Sequence, residues 1–311
     1  MNYLILGASG FIGKKIAKEL IEEKGKIRLF DRNFSNFNNS DDEDGRFEFV
    51  SGIFSRDYDF CSLTKEIDVV FHLISTTIPS TEISFAQELD ENVAASLRLF
   101  DACKINNVKK VIFISSGGTV YGKSLGKPFK EDDPTNPISS YGVQKLTIEK
   151  YLQLYGSEFG LDYRIVRLAN PYGPGQNPLG SLGIITKFTY NIINDIGITV
   201  FGDGNIVRDY IYIDDAIKGI LSISNYEGKN KLFNLGYGKG HSIIEIIEII
   251  EQVSGKKFNI EYKESRDVDV DFSVLDIQRY LEITDNKNMI SITDGVKYLI
   301  DYFLEVERNA K

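Results

Sequence analysis

A glycine turn between a short apolar segment and a helical pattern constrains the fold of this chain more than any other feature. Residues 2–6 are apolar, and Gly7, Gly10 and Gly13 follow at regular spacing before a helical apolar pattern that continues to residue 21. In a strand–turn–helix unit, Gly7 permits the tight turn, Gly10 lets the backbone approach a pyrophosphate, and Gly13 lets the helix pack on the strand. The helix N-terminus directs N–H groups at the anion, so the segment predicts a dinucleotide site.

An acidic residue ends the second predicted strand. Residues 26–30 form that strand, and Asp31 follows it directly. A carboxylate in this position accepts hydrogen bonds from both ribose hydroxyls and repels a 2′-phosphate. The sequence therefore favours NAD over NADP as the cofactor, with the adjacent Arg32 acting weakly against this preference.

Strand and helix patterns alternate along the first half of the chain. This alternation is typical of a parallel sheet with helices on both faces. We therefore predict an α/β fold, a Rossmann-type doubly wound parallel sheet, whose ligands bind at the carboxyl ends of its strands. The predicted strands cover residues 2–6, 26–30, 47–50, 69–73, 111–115 and 163–166, with helices at 81–106 and 139–158. Side chains at the carboxyl ends belong to Asp31, Ser75, Ser115, Ser116 and Asn170.

The character of the sequence changes after Asn170. Residues 171–178 form a loop rich in proline and glycine, and Ser242 opens a later helix with a capping-box pattern. We predict an NAD-binding domain over residues 1–170, to which strands near 206–236 return. Residues 171–205 and 237–311 then form a smaller C-terminal substrate lobe, and we expect the substrate in the cleft between lobe and sheet.

Tyr141 and Lys145 are the strongest candidates for chemistry. They are four residues apart in the predicted helix 139–158, so their side chains lie on one face, one turn apart. A free tyrosine titrates near pH ~10 and is a poor proton acceptor at neutral pH, whereas a nearby positive charge favours the phenolate. We expect Lys145 and a cationic cofactor ring to lower the pKa of Tyr141 to about 7, which requires roughly 4 kcal/mol. The pair therefore indicates a tyrosine base.

The composition argues against several other classes of function. A net charge of −9 makes a general affinity for nucleic acid or an anionic membrane unfavourable. Cys61 and Cys103 lie in apolar stretches, and with only two histidines the chain predicts no metal site. We find no membrane span and no secretion signal in the sequence, and we expect a cytoplasmic protein.

Taken together, these motifs resemble the extended short-chain dehydrogenase/reductase family, in particular its branch of NAD-dependent nucleotide-sugar epimerases and dehydratases. The resemblance covers most of the chain. The residues that carry it are Gly7-x-x-Gly10-x-x-Gly13, Asp31, His72–Ser75, Asn92, Ser115–Gly122, Tyr141-x-x-x-Lys145, Arg167–Gly175, Phe201–Gly204, Arg208–Asp215 and Arg266-x-x-Asp269.

The resemblance implies a role for each matching residue. In the family NAD takes a hydride from the sugar while a tyrosine removes the hydroxyl proton, so Tyr141 is implied as the base and Lys145 as the residue that holds the nicotinamide ribose. A UDP-sugar substrate and a homodimer, formed through helices near 81–106 and 139–158, are also implied. The implied cofactor-binding residues are Gly7, Gly10, Phe11, Ile12, Gly13, Asp31, Ile53, Leu73, Ile74, Ser75, Asn92, Ser115, Tyr141, Lys145 and Ala169. The implied substrate-binding residues are Thr77, Thr119, Asn170, Phe201, Arg208, Arg266, Asp269 and Ser273.

The segment Ser115–Gly122 helps to distinguish the reactions that members of the family catalyse. Dehydratases and decarboxylases of the family usually carry an acid at one or both of the positions that Gly118 and Thr119 occupy here. The missing carboxylate favours a 4-epimerase, which oxidises and re-reduces C4. Many 4-epimerases have a hydroxyl-bearing residue where this chain has Gly117. We therefore expect Thr119 to bind the sugar hydroxyl, and Ser116 is the second candidate for this role. Both residues are expected to join Tyr141 and Lys145 in catalysis. The alternatives are a nucleotide-sugar dehydratase, decarboxylase or reductase, and a non-catalytic NAD-sensing protein, although a sensor needs neither Tyr141 nor Lys145.

Two departures from the family pattern affect ligand contacts. The family often has Gly-Asp where this chain has Gly52-Ile53, so we expect Ile53 to contact adenine through its backbone. Ser273 lies where the resemblance places the wall facing the sugar's C2 group, and relatives restricted to plain hexoses tend to carry tyrosine there. A small residue leaves room for an acetamido group, so we expect UDP-N-acetylglucosamine and UDP-N-acetylgalactosamine to interconvert at least as well as the glucose pair.

Overall fold

The structure is a computed structural model, which describes the chain as two compact units. The described residues are 1–37, 42, 45–77, 84–123, 126–264 and 270–309. The first unit comprises Met1–Val120, Pro137–Arg167 and Ile223–Phe233, and the second comprises Tyr121–Asn136, Leu168–Ser222 and Asn234–Lys311.

Strands and helices alternate through the first half of the chain, as the sequence pattern predicts. The strands are β1 (Tyr3–Leu6), β2 (Ile27–Asp31), β3 (Phe47–Ser51), β4 (Val69–His72), β5 (Lys110–Ser116), β6 (Asp162–Leu168), β7 (Asn170–Tyr172), β8 (Ile198–Phe201), β9 (Val207–Tyr212), β10 (Leu232–Leu235), β11 (Gly240–Ser242), β12 (Ile260–Lys263) and β13 (Phe272–Ser273). The helices are α1 (Phe11–Leu20), α2 (Phe60–Leu63), α3 (Phe85–Glu88), α4 (Ala95–Ile105), α5 (Ser140–Phe159), α6 (Ile184–Ile193), α7 (Ile213–Asn225), α8 (Ile243–Ser254), α9 (Gln278–Leu281) and α10 (Ile292–Asn309). Within the described part of the chain, no helix combines the length and apolar character needed to cross a bilayer.

The central sheet is doubly wound. Among the described residues, seven strands form it in the order β10-β6-β5-β4-β1-β2-β3. β1 pairs in parallel with β2 on one side and with β4 on the other, so the direction of winding reverses beside β1. Ligands of open α/β sheets bind where this reversal occurs, outside the carboxyl ends of the strands. The predicted Rossmann-type doubly wound parallel sheet is confirmed.

Burial explains why the apolar runs form the centre of this sheet. All four residues of β1 and all four of β4 are buried, as is typical of parallel strands covered on both faces. α1 packs through the buried side chains of Ile16, Ala17 and Leu20, which recur at helical spacing. Burying a side chain of the size of Ile16 or Leu20 contributes roughly 1.5–3 kcal/mol. This packing fixes the glycine turn between β1 and α1.

The predicted helix over residues 81–106 changes its winding along its length. α3 and α4 are joined by a π-helical segment, Leu89–Ala94, and residues 78–83 lie outside the described residues. π-helical turns are often found at functional sites. Asn92, one of the predicted cofactor ligands, lies in this segment.

In the second unit, β9 is the centre of a smaller sheet. β11 pairs with β9 antiparallel, whereas β13 and β7 pair with it in parallel. These registers set Arg208 opposite both His241 and Ser273, and they set Asn170 opposite Tyr210. Opposite residues, and residues two apart in a strand, project from one face of a sheet. The four polar side chains of Asn170, Arg208, His241 and Ser273 therefore share a face.

Candidate active site

The glycine turn brings β1, α1 and the segment after β4 into close contact. Gly7 has a φ of +87°, a conformation that glycine adopts without strain. A Cβ at Gly13 would lie 2.2 Å from the Gly7 carbonyl oxygen, so α1 can approach this closely only because residue 13 is a glycine. A Cβ at Gly7 would lie 3.2 Å from Ile74 Cγ1 and 3.5 Å from Leu73 Cβ. The structure thus assembles these four predicted cofactor residues.

The first turn of α1 suits a phosphate group. Its N-cap residue is Gly10, which has no side chain with which to accept a hydrogen bond. The N–H groups of Phe11, Ile12 and Gly13 have no partners inside the helix, as in the first turn of any α-helix. Together with the helix dipole, these donors fit the pyrophosphate of a dinucleotide.

Asp31 is fixed at the carboxyl end of β2 by backbone donors. One carboxylate oxygen accepts a hydrogen bond from the Ser9 N–H at 2.9 Å, and the other accepts one from the Arg32 N–H at 2.7 Å. Each oxygen retains a lone pair for a further donor, so the carboxylate can still accept hydrogen bonds from ribose hydroxyls. The Gly52 N–H donates to the Asp31 carbonyl at 2.9 Å, and Ile53, which is 70% exposed, follows at the same edge.

Tyr141 and Lys145 occupy the first two turns of α5. Ser139 caps the helix by accepting a hydrogen bond from the Gly142 N–H at 3.2 Å. The Lys145 side chain is 3% exposed, and its Nζ donates to the Ile114 carbonyl at 2.9 Å. The same Nζ lies 5.8 Å from the centre of the Tyr141 ring. The predicted pair is therefore assembled beside the end of β5.

The protein alone does not favour a phenolate at Tyr141. Loss of hydration raises the pKa of Tyr141 to about 12, and a hydrogen bond with the Ser116 side chain only partly opposes this. Burial lowers the pKa of Lys145 to about 8, opposed by the carboxylate of Glu149. The phenol is thus protonated at neutral pH, and the fall toward 7 that the sequence argument requires stays a prediction for the protein with its cofactor.

The last residue of β5, Ser116, and the turn that follows it, which carries Thr119, lie beside the start of α5. A Cβ on Gly142 would lie 2.9 Å from the Thr119 carbonyl oxygen, so this glycine permits the close approach. Thr119 Oγ1 is buried and has no hydrogen-bond partner among the described residues. A buried hydroxyl without a partner is costly, so it fits an additional polar group such as a ligand hydroxyl.

A second polar network joins the segment after β4 to α5. The Asn92 amide accepts a hydrogen bond from the Thr76 N–H at 2.8 Å and donates to the Thr76 hydroxyl at 2.9 Å. Thr77 is buried, and its hydroxyl lies 3.4 Å from both the Asn92 amide nitrogen and Gln144 Oε1. Ser75 is exposed and donates to the Thr77 carbonyl. Asn92 thus holds the loop that carries Ser75 and Thr77.

Glu149 and Arg167 form a buried ion pair that the sequence argument missed. Arg167 donates to the Glu149 carboxylate at 2.7 Å, and the Ser115 hydroxyl donates to the same carboxylate. The predicted cofactor residue Ser115 therefore uses its hydroxyl within the protein. The signal in the sequence was the spacing of Tyr141, Lys145 and Glu149, which places all three on one helix face.

The predicted substrate residues of the second unit are assembled in part. Asn170, Arg208 and Ser273 share one face of the sheet around β9, and Ser273 is 4% exposed. Phe201 ends β8, which pairs with β12 in a separate two-stranded sheet. Arg266 and Asp269 lie outside the described residues, and Ala169 lies between β6 and β7 with its N–H donating to the Leu235 carbonyl.

A doubly wound sheet with an uncapped glycine turn, an acid after its second strand and a tyrosine one helical turn from a buried lysine defines a dinucleotide-dependent enzyme. Residues 3–236 match the model of the NAD dependent epimerase/dehydratase family, and the chain belongs to this family. The predicted family and the predicted NAD cofactor are confirmed at this level. The roles assigned to individual site residues stay predictions.

Curated relatives align over nearly their full length. The chain is 31% identical to a putative UDP-glucose 4-epimerase of Methanocaldococcus jannaschii, covering 96% of this chain and 97% of the relative. It is 34% identical to a dTDP-4-dehydro-6-deoxyglucose reductase of Escherichia coli, covering 96% of each. These relatives share the family but differ in reaction.

Solved structures of nucleotide-sugar 4-epimerases are similar throughout the chain. The UDP-glucose 4-epimerase of Thermotoga maritima with UDP-glucose has a TM-score of 0.89 at 30% identity, covering 99% of this chain and 100% of that one. The UDP-N-acetylglucosamine 4-epimerase of Methanobrevibacter ruminantium with UDP-N-acetylmuramic acid has a TM-score of 0.89 at 30% identity, covering 98% of each. The UDP-glucuronic acid 4-epimerase of Bacillus cereus with UDP-glucuronic acid and NAD has a TM-score of 0.87 at 28% identity, covering 98% and 100%.

Proposed function

We propose that this protein is an NAD-dependent UDP-sugar 4-epimerase in which Tyr141 is the base. The observation that carries the proposal is the Tyr141 phenol beside Ser116, with the Lys145 ammonium one turn away. The Thr119 hydroxyl on the adjoining turn has no hydrogen-bond partner among the residues that the structure describes. This arrangement offers a proton acceptor and a hydroxyl-binding group to one sugar alcohol. The similarity to several 4-epimerase structures supports it.

Four residues have separate roles in the proposed proton transfer. Tyr141 accepts the proton of the C4 hydroxyl, while Ser116 and Thr119 orient that hydroxyl through hydrogen bonds. Lys145 stabilises the phenolate and binds the nicotinamide ribose. When bound, NAD would supply a reversible hydride acceptor at C4, and re-reduction on the opposite face of the sugar would invert that carbon. Since the pKa of Tyr141 is about 12 in the protein alone, the base forms only when positive charge surrounds the phenol.

Two residues of the second unit support our proposal that it binds the nucleotide diphosphate and the sugar. Arg208 carries a planar guanidinium, which suits paired phosphate oxygens. Ser273 lies opposite Arg208 on the neighbouring strand and contributes a small buried side chain. We therefore propose that the substrates include UDP-N-acetylhexosamines, with the nucleotide bound by Asn170, Phe201, Arg208, Arg266 and Asp269.

One observation favours a second candidate, a reductase of a nucleotide 4-keto sugar. The Escherichia coli relative at 34% identity catalyses such a reduction, according to its name. A reductase must release its oxidised cofactor after each turnover, whereas an epimerase retains it. The absence of a carboxylate at Gly118 and Thr119 argues against a dehydratase under either assignment.

Exposed apolar side chains on α3 to α5 support the proposed homodimer. Soluble surfaces with several large apolar residues on adjacent helices commonly mark an interface. The side chains in question are Phe85, Leu89, Val143 and Leu154, each at least 45% exposed. Light scattering of the purified protein measures its mass directly, and a monomer at micromolar concentration would contradict the dimer.

The proposed function is tested on the protein as purified. Native mass spectrometry identifies the bound dinucleotide, and incubation with UDP-glucose, UDP-N-acetylglucosamine, UDP-glucuronic acid and a dTDP-4-keto sugar with NADH identifies the reaction. Tyr141→Phe should abolish turnover and retain NAD, whereas Tyr151→Phe, which alters an exposed phenol on the same helix, should leave turnover intact. Turnover in Tyr141→Phe would refute the assignment of the base, and reduction without epimerisation would favour the second candidate.

A further inference from the structure

Glu149 carries a buried carboxylate on α5, four residues after the proposed catalytic Lys145. Its side chain is fully buried, and it follows Lys145 by one helical turn on the face that also carries Tyr141. Neither proton transfer nor ligand binding, as proposed above, uses it. A charged side chain without solvent requires partners and, in an enzyme, a reason for its presence.

Two side chains from the sheet bind the Glu149 carboxylate. Arg167 is 2% exposed, and its guanidinium donates to both carboxylate oxygens, with the shortest contact at 2.7 Å. The Ser115 hydroxyl donates to Oε1. These donors come from β5 and β6, so the sheet itself holds the carboxylate against α5. Arg167 also places a positive charge against the buried carboxylate.

Within the described part of the chain, three titratable side chains interact with Lys145. On its own helix these are Tyr141 and Glu149, and on the sheet it is His72 of β4. Burial lowers the pKa of His72 to about 3, so this imidazole is neutral at physiological pH. The Lys145 Nζ otherwise meets the Ile114 carbonyl and the face of the Phe113 ring, which are not charged. Glu149 is therefore the anion that opposes deprotonation of the lysine.

We propose that Glu149, held in place by Arg167 and Ser115, is a positioning residue that keeps Lys145 charged and directed toward Tyr141. The proposal deepens the proposed function, on which it rests, because a neutral lysine could not stabilise a phenolate. Under this proposal the Ser115 hydroxyl supports the Glu149 carboxylate and does not bind the cofactor directly. The functional helix face then consists of Tyr141, Lys145 and Glu149, one turn apart.

The first measurement follows the charge of Lys145 without any sugar. Nuclear magnetic resonance of isotope-labelled lysine in the protein as purified gives the titration midpoint of Lys145, with Lys145→Met providing the assignment. Glu149→Gln should lower this midpoint by about one pH unit or more. Glu149→Asp restores the charge and should recover most of the shift.

Two further variants separate this role from a purely structural one. Glu149→Gln removes the carboxylate that pairs with the buried Arg167, so it is compared with Glu149→Gln/Arg167→Met, which removes both charges. Asp162→Asn is the matched control, because Asp162 pairs with the buried Arg164 at 2.7 Å on the same strand. The double variant should lower the Lys145 midpoint by less than Glu149→Gln does, because it also removes a positive charge, whereas the control should reduce stability and leave the midpoint unchanged.

The second measurement is the pH dependence of turnover. A midpoint one unit lower leaves about fivefold less charged Lys145 near pH 8, so turnover should fall about fivefold and its alkaline limb should shift with the midpoint. An unchanged midpoint in folded Glu149→Gln would overturn the proposal, and so would a midpoint in the double variant above that of the unaltered protein. If no tested sugar turns over in the unaltered protein, the proposed function fails, but the lysine titration still decides the charge relation between Glu149 and Lys145.

Discussion

The close approach of α5 to the turn after β5 can be tested with Gly142→Ala. A Cβ at this position would lie 2.9 Å from both the Thr119 carbonyl oxygen and Pro137 Cβ. Ordinary van der Waals contact begins at 3.4 Å, so the new methyl group would lie about 0.5 Å too close to both atoms. Because the obstacles are a backbone oxygen and a proline ring, α5 or the turn must move by a similar distance.

The expected effects on stability and on activity differ in size. Overfilling a packed site costs roughly 1–3 kcal/mol, while alanine in place of a helical glycine gains up to about 1 kcal/mol. The free energy of unfolding should thus fall by about 0–3 kcal/mol, and the protein should remain folded. Misplacing catalytic groups by about 1 Å can cost 100-fold, so a shift of Tyr141 relative to Thr119 by half that distance should lower kcat about tenfold.

The assay pairs kcat for the proposed epimerisation with denaturant unfolding. Gly118→Ala is the matched control, because a Cβ on Gly118 meets no heavy atom within 4 Å. The control should keep both its stability and its kcat. If Gly142→Ala matched the control in both measurements, the argument from the close approach would be wrong.

Three further predictions concern the substrate, the cofactor and pH. Ser273→Tyr should abolish activity on UDP-N-acetylhexosamines and spare the glucose pair, measured with both substrates, and equal loss of the two would contradict the substrate proposal. Asp31→Ala should weaken NAD binding about 10-fold and reduce the preference for NAD over NADP, since a carboxylate repels the 2′-phosphate. Calorimetry with both dinucleotides would measure this change. Lys145 has a pKa near 8 in the folded protein, below its ordinary 10.5, so the unfolded chain binds more protons between these values. The free energy of unfolding of the ligand-free protein should therefore rise with pH there, by up to about 1.4 kcal/mol per unit, and Lys145→Met should remove this rise.

Elements with strong local patterns could be predicted closely. The first strand was expected at residues 2–6 and spans Tyr3–Leu6, and the helix expected at 139–158 spans Ser140–Phe159. A continuous apolar run and a capped helical pattern depend on near neighbours in the chain, so the sequence contains the necessary information. The π-helical segment within 85–105 could not be predicted, because its widened turn accommodates packing and the Asn92 network.

The chemistry of Tyr141 shows where local reasoning stops. The spacing of Tyr141 and Lys145 correctly predicted two side chains on one helix face, but the expected fall in the tyrosine pKa is absent from the protein alone. Burial by distant segments outweighs the lysine's influence there. The Glu149–Arg167 pair was missed for a related reason, because its partners are on a helix and a strand whose adjacency the spacing does not reveal.

The sequence by itself determined the strand–glycine–helix unit, the acid after the second strand and the tyrosine–lysine spacing, since each depends on residues a few positions apart. Only the tertiary structure decided that Asn170, Arg208 and Ser273 share one face, because the pairing of β9 with three strands distant in sequence creates that face. Tertiary packing also decided the proton affinities of Tyr141 and Lys145. Hydration and the positions of neighbouring charges set a pKa, and both depend on segments that meet only after folding.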